Sequence, residues 1–190
     1  MKSMLKTVIL GIAGVALVVV PASAQMNLTG SAYLGFTKMM EEDAPDGSFG
    51  GRVNGFAMVH PAIGIGAEVG HLGLGSFEFG ADEVSISSWQ FTPSVMARGI
   101  AGPVRPYAIG GAGAYLLRVS ETLSGTTTSS TETKFGFNLG GGLNFKPTPA
   151  GIVSFGIEGR YHVVPGIDDG DTGETTSLDV LSISGGIFIN

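Results

Sequence analysis

The stretch IVSFGIEGRYHVV, Ile152 to Val164, alternates. Val153, Phe155, Ile157, Gly159, Tyr161 and Val163 fall on one side, and Ser154, Gly156, Glu158, Arg160 and His162 on the other. A period of two belongs to a β-strand, whose successive side chains point to opposite faces. The same pattern recurs along the chain and predicts eight strands: Asn27 to Thr37, Phe49 to His60, Ile63 to Leu72, Ile86 to Arg98, Tyr107 to Val119, Lys134 to Phe145, Ile152 to Val163 and Leu178 to Ile189. Each has ten to thirteen residues, close to the ~9 to 11 that a tilted strand needs to cross a bilayer.

The links between these segments alternate in kind. After the second, fourth and sixth they are compact and carry proline: HPAIG, IAGPVRP and KPTPAG. After the first, third, fifth and seventh they are longer and polar, as in SETLSGTTTSSTET and VPGIDDGDTGETTS. Apart from Glu68 and Glu158, every acidic residue lies in or beside the longer links. An up-and-down barrel sends every second connection to the same side, and barrels of outer membranes keep short turns inside and long loops outside.

Most segments have one apolar face and one face that is small, polar and sparsely charged. Phe49, Val53 and Val59 oppose Arg52, Asn54 and His60, and Trp89, Phe91 and Val95 oppose Ser88, Gln90 and Ser94. In the fifth segment Tyr107, Ile109, Tyr115, Leu117 and Val119 form the apolar face, with Arg118 among the small residues opposite. A face of glycine, serine and asparagine is a weak solubilising surface, so the apolar faces are assigned to lipid and the polar ones to the lumen. A lipid-facing Arg costs about 2 to 4 kcal/mol at the bilayer midplane. Arg52, Glu68, Arg118, Glu158 and Arg160 are therefore expected inside as a structural charge cluster. Glu158 and Arg160, two apart on one strand, are expected to seek partners on other strands, with Glu68 meeting Arg52 or Arg160. Glycines such as Gly70, Gly136, Gly140, Gly142 and Gly156 would make room for them, and an eight-stranded barrel is just filled by its own side chains.

The aromatic residues sort by level on this reading. Phe36, Phe49, Trp89, Phe91, Tyr115, Phe135 and Tyr161 collect at the outer ends of the strands, and Tyr107 and Phe145 at the inner ends. Two interfacial belts are what amphipathic rings form in a bilayer. Pro93 cannot donate a ladder hydrogen bond, so a bulge or a shifted boundary is expected in the fourth strand.

Composition narrows the class further. The N-terminus joins Lys2 and Lys6 to an apolar core, Val8 to Val20, and Ala22-Ser23-Ala24, the layout of a secretory signal cleaved after Ala24. The core is shorter than the ~20 residues of a spanning helix, which sets aside a retained anchor. Residues 25–190 then form one barrel domain. Loss of Lys2 and Lys6 leaves eight basic against sixteen acidic side chains, a net charge of −8. That balance excludes nucleic acid, whose phosphates call for a basic surface. With no cysteine there is neither a disulfide nor thiol chemistry. The 32 glycines argue against a helical fold.

The signal, the RPYAIGGAGAYLL and FGIEGRYHVV strands and the closing LSISGGIFIN resemble small eight-stranded outer-membrane β-barrels of the OmpA/OmpX type, in the broad porin-like family. The resemblance spans the mature chain. It implies an all-β, antiparallel, monomeric up-and-down barrel in the outer membrane of a Gram-negative bacterium, in contact with lipid, lipopolysaccharide and the assembly machinery. Members of the family usually end in an aromatic residue, whereas this chain ends Phe188-Ile189-Asn190, so an atypical insertion signal is expected.

Candidate chemistry is sparse. His60, His71 and His162 stand alone in sequence, without the paired spacing of a metal site. The acidic run Asp168 to Glu174 lacks the spacing of a calcium loop. The glycine runs Gly110 to Ala114 and Gly140 to Gly142 open no helix that would cradle phosphate. Lipid A deacylases are barrels of this size that use a His-Ser pair, but here His162 is followed by Val163, and Ser154 lies at the other end of its strand. The expected protein has no cofactor, no metal and no catalysis. It serves the envelope structurally or through surface contacts, including an extracellular ligand reached by the acidic loops. The alternatives are a narrow solute pore and a lipid A-modifying enzyme.

Overall fold

A computed structural model of the chain describes residues 27–41, 44–80, 82–123, 125–148, 151–168 and 175–189. The expected signal segment and Asn190 lie outside them, as does most of the acidic run after Asp168. Eight strands follow one another: β1 (Asn27–Met39), β2 (Ser48–His60), β3 (Ile63–Phe79), β4 (Asp82–Arg98), β5 (Val104–Leu123), β6 (Thr126–Phe145), β7 (Val153–Asp168) and β8 (Thr175–Ile189). Each pairs antiparallel with its neighbour in sequence, and β1 closes the barrel on β8 from Gly30 opposite Ile189 to Met39 opposite Val180. Closure leaves every spanning strand paired on both sides, which a bilayer core without water requires.

The inner ends of the strands lie within about three residues of where the alternation places them. At the outer ends β3 to β6 run on much further. Residues 77–79 with 82–84, and 121–123 with 126–128, are the ends of hairpin ribbons, with Gly80 (φ 71°) and Gly125 (φ 81°) at the turns, where the left-handed backbone suits glycine. Alternating Val, Ile, Phe and Thr continue the strands beyond the membrane, since such residues favour pleated structure whether or not a core lies beneath.

Pro93 does not bulge its strand. Pro93 faces Ala67 in regular register, and β4 resumes with β5 at Ser94 opposite Gly111 in the same register as Phe91 opposite Ala114. The ladder lapses only at Thr92 and Pro93. A bulge sits instead in β3, between Gly73 and Gly75, where Gly75 has φ 109° and Leu74 is tucked inside.

The outside carries Leu34, Phe49, Val53, Ile65, Val95, Leu139, Ile157 and Ile183, all well exposed. An apolar surface of this extent is stable against hydrocarbon, not water. Strand β5 departs from the expected assignment: Tyr107, Ile109, Tyr115 and Leu117 are buried in the lumen, and Ala108, Ala112 and Arg118 face outward. The reason lies on β6. A Cβ on Gly136 would stand 2.8 Å from the Tyr115 ring, and one on Gly142 would stand 2.8 Å from Cζ of Tyr107. Missing side chains on one strand make the room that rings on the next occupy. Both faces of β5 are apolar, so alternation alone could not orient it. Tyr107 and Tyr115 therefore leave the aromatic belts. Phe36 edge-on to Phe49 (6.1 Å), and His71 edge-on to Trp89 (5.1 Å), stay at the outer level, with Phe145 exposed at the inner one.

Candidate functional site

The lumen is filled in three layers. Toward the outer mouth Met39, Leu72, Leu74, Tyr115, Leu117, Val164, Leu178 and Val180 form an apolar cluster. Toward the inner mouth Tyr33, Phe56, Met96, Tyr107, Ile109 and Phe188 form a second, with Phe188 edge-on to both Tyr33 (5.4 Å) and Tyr107 (5.7 Å). Between them lie the charges.

Four of the five expected cluster residues converge there. Glu158 Oε1 accepts from Arg52 Nη2 at 2.5 Å and from Arg160 Nε at 2.8 Å. Glu68 Oε1 accepts from Arg160 Nη1 at 2.5 Å, and Glu68 Oε2 lies 3.7 Å from Arg52 Nε. Two acids and two bases thus alternate in a ring of zero net charge, fully desolvated, where each charge is tolerated only because its partners are in place. Arg118 does not join them. It is exposed on the outward face of β5, where its Nη2 donates to Ser129 Oγ at 3.3 Å. The same reversal of β5 that buries Tyr115 turns Arg118 outward, and its position above the barrel wall lets water solvate it.

The pairing also differs from expectation within β7. Glu158 and Arg160 bond directly, because residues i and i+2 share a face and the long arginine side chain folds back along the strand.

The ring is extended by groups that alternation could not single out. Tyr107 donates its hydroxyl to Glu158 Oε2 (2.9 Å) and shares a bond with the Tyr33 hydroxyl (2.8 Å). Gln90 donates to Glu68 (2.8 Å), and Ser184 accepts from Arg52 (2.7 Å). Arg52 also stacks over the Tyr33 ring, 4.6 Å from its centroid, a favourable cation–π geometry. Gln90 on the polar face of the fourth strand was the available signal, whereas Tyr107 carried none, since its face of the fifth strand reads as lipid-facing. Glycine completes the fit: a Cβ on Gly70 would stand 2.9 Å from Arg52 Cβ, and one on Gly140 2.9 Å from Arg160 Cγ.

Chemistry in this lumen is constrained. His162 Nε2 lies 3.4 Å from Ser182 Oγ, a spacing reminiscent of a nucleophile and its base, and Nδ1 lies 3.2 Å from the Tyr115 hydroxyl. Ser182 Oγ, however, donates to the Arg160 carbonyl (3.3 Å), and both residues are sealed from solvent. Among the described residues no carboxylate bonds the imidazole, whose nitrogens face Tyr115 and Ser182, whereas a general base is oriented by such a group. Among the described residues no three His, Asp or Glu side chains group as metal ligands. Within the lumen, the space lined by Arg52, Leu72, Ser182 and Ser184 and the one lined by Met96, Tyr107 and Phe188 measure about 10 Å³ each, no more than a single water requires.

Outside the membrane β5 and β6 continue as a two-stranded ribbon. They pair from Val104 opposite Phe145 to Leu123 opposite Thr126. Hydroxyl side chains meet across it, Ser120 with Ser129 and Thr122 with Thr127, both at 3.0 Å. Among the described residues β7 pairs with β6 only from Phe137 inward.

Comparison with known proteins agrees with this architecture. No curated protein sequence matches the chain. Among solved structures, Neisserial surface protein A superposes with a TM-score of 0.62 at 17% identity, covering 87% of this chain and 99% of that one. A major outer membrane protein from Thermus thermophilus gives 0.58 at 14% identity, covering 87% and 99%. Ail, the attachment invasion locus protein of Yersinia pestis, gives 0.51 at 18% identity, covering 86% and 100%. At such identities the likeness is one of fold. The model of the outer membrane protein beta-barrel domain matches residues 10–184, and with eight closed antiparallel strands and a lipid-facing apolar girdle the chain belongs to that family and to the outer membrane.

Proposed function

We propose that the chain is a non-catalytic barrel that makes contacts at the cell surface through the β5–β6 ribbon. The observation that carries this reading is the one-sided pairing of β6. Among the described residues its outer half, Thr126 to Gly136, has ladder pairing only with β5, and pairing with β7 starts at Phe137; beyond that the Lys134 side chain bonds across to the Gly166 carbonyl of β7 (2.6 Å). An unpaired strand edge offers alternating N–H and C=O groups to an extended polypeptide laid beside it. Side chains along this edge are mostly threonine and serine, and its one acid and one base, Glu132 and Lys134, bridge each other at 2.6 Å. From Thr126 to Thr133 the side chains are small apart from Glu132, and the stretch carries no net charge once Glu132 is paired with Lys134.

The ligand that suits this edge is an extended segment of an extracellular protein. Ail has been solved with a heparin analogue, sucrose octasulfate. For the present chain the outer side carries most of the sixteen acidic residues against Lys38, Arg118 and Lys134, so a sulfated polyanion would be repelled. The layered lumen supports a closed barrel over a solute pore, and the engaged Ser182 supports a non-catalytic role over lipid A modification.

The test is adhesion. Cells displaying the protein, and cells displaying a version in which residues 120–129 are replaced by an Asn-Gly turn, are compared on surfaces coated with matrix protein or with heparin. Adhesion to protein that falls to the background of cells lacking the barrel, at equal amounts in the membrane, supports the reading. Unchanged adhesion rejects it. Admission of small sugars into liposomes would favour the pore, and loss of an acyl chain from lipid A in those liposomes would favour the enzyme.

A further inference from the structure

The inner end of the barrel has a charge pattern opposite to that of the outer end. Arg98 is paired across the β4–β5 ladder with Tyr107, two residues from Arg105. Arg105 is paired with Asn144, two residues from Lys146. The three cations therefore run as a diagonal row over the ends of β4, β5 and β6, within the reach of diagonal cross-strand neighbours. The turns that carry them are tied together: the Arg98 amide donates to the Ala62 carbonyl and the Lys146 amide to the Pro103 carbonyl, each at 2.8 Å. The sequence has no Asp or Glu between Glu83 and Glu121, or between Glu132 and Glu158, so the surrounding strands and turns contribute no acidic side chain to this row. Like charges set side by side are unfavourable, and a sequence with sixteen acids against ten bases has placed them together.

Beside this row lies a cleft of about 400 Å³ between the β2–β3 and β4–β5 turns. Arg98 and Arg105 line it on the lumenal side, and Val59 and Ile100, both well exposed, line it on the lipid side. Arg98 is anchored, its Nε to the Pro61 carbonyl (3.3 Å) and its Nη1 to Thr29 Oγ1 (3.4 Å). Arg105 Nε donates to the Gly102 carbonyl at 3.3 Å. A fixed cationic rim joined to an apolar wall at the membrane edge matches an amphiphile with an anionic head.

We propose that this cleft binds the phosphodiester headgroup of an anionic glycerophospholipid in the inner leaflet, with Arg105 supplying charge in the cleft, Lys146 adding to it from the end of β6 beside the row, and Val59 and Ile100 receiving the acyl chain. The proposal rests on the outer-membrane placement of the barrel and is independent of what the outer ribbon binds. Basic residues near an anionic leaflet contribute about 1 kcal/mol each, which is roughly a fivefold change in affinity per cation.

The test is native mass spectrometry of the mature protein, purified from membranes and equilibrated in mixed micelles with equal phosphatidylglycerol and phosphatidylcholine. The folded protein is expected to retain phosphatidylglycerol in preference. Arg105→Gln and Lys146→Gln should each lower that preference about fivefold, and together about twenty-five-fold, whereas Lys134→Gln at the outer end should leave it unchanged. Equal retention of the two lipids, an undiminished preference in the double variant, or an equal loss in Lys134→Gln would overturn the proposal. Displacement by millimolar glycerol phosphate would overturn it as well, by showing a site for a soluble anion instead of a lipid.

Discussion

Arg160 Nη1 lies 2.5 Å from Glu68 Oε1, although the residues are 92 positions apart and stand on β7 and β3. This contact crosses the barrel interior, and with Arg52 and Glu158 it joins β2, β3 and β7 at one level. Closure of the cylinder brings these charges together, so their stability and that of the closed barrel are linked.

Replacing Glu158 by Leu leaves Arg52 and Arg160 sharing one carboxylate in a desolvated lumen. A buried charge deprived of its partner costs about 3 to 5 kcal/mol. The urea midpoint of unfolding in lipid vesicles should fall accordingly, with the protein still delivered to the outer membrane. An unchanged midpoint would show that the ring does not brace the fold.

Replacing all four charges at once by apolar residues of similar volume, Arg52→Met, Glu68→Leu, Glu158→Leu and Arg160→Met, should cost much less than Glu158→Leu alone. A buried ion network and a well-packed apolar substitute are often of comparable stability. Unfolding of the quadruple and single variants in the same vesicles checks this, and a quadruple variant less stable than the single would refute it.

Tyr107→Phe removes one hydroxyl that serves both Glu158 and Tyr33. A hydrogen bond to a charged group is worth about 1.5 to 3 kcal/mol, so a drop of that order in unfolding free energy is expected. Were Tyr107 facing lipid, the same change would be nearly silent.

The orientation of β5 has a second test in glycine. Gly136→Ala places a Cβ 2.8 Å from both the Tyr115 ring and the Val163 carbonyl, whereas a Cβ on Gly159 meets nothing within 4 Å. Overpacking of this kind costs about 1 to 3 kcal/mol. Thermal unfolding should separate the two variants, with Gly159→Ala close to the parent protein.

The open edge of β6 should be visible in amide exchange. From Phe137 to Phe145 both neighbours are paired, so successive amides should be protected. From Thr126 to Gly136, where among the described residues the strand ladder runs to β5 alone, protection should alternate between residues bonded to β5 and residues turned to solvent. Uniform protection along β6 would mean that its outer half is covered.

The sequence by itself determined the number of strands, their inner ends, the lipid-facing sides of the second, fourth, sixth and seventh and the residence of Glu68, Glu158, Arg52 and Arg160 on lumenal faces. It could do so because a period of two is a local property and because charge at the midplane of a bilayer has a single refuge. Tertiary structure decided the rest. Which way β5 turned depended on glycines on β6, since both of its own faces are apolar. Arg118 left the lumen with that reversal, and Glu158 met Arg160 on its own strand because the lumen is narrow enough to fold the arginine back. The outer ribbon was hidden for a similar reason: its threonines and serines read equally well as a polar loop, and only the partner strand opposite makes them a sheet. Where a residue's surroundings come from its neighbours in sequence, the pattern suffices. Where they come from a strand across the barrel, closure has to supply them first.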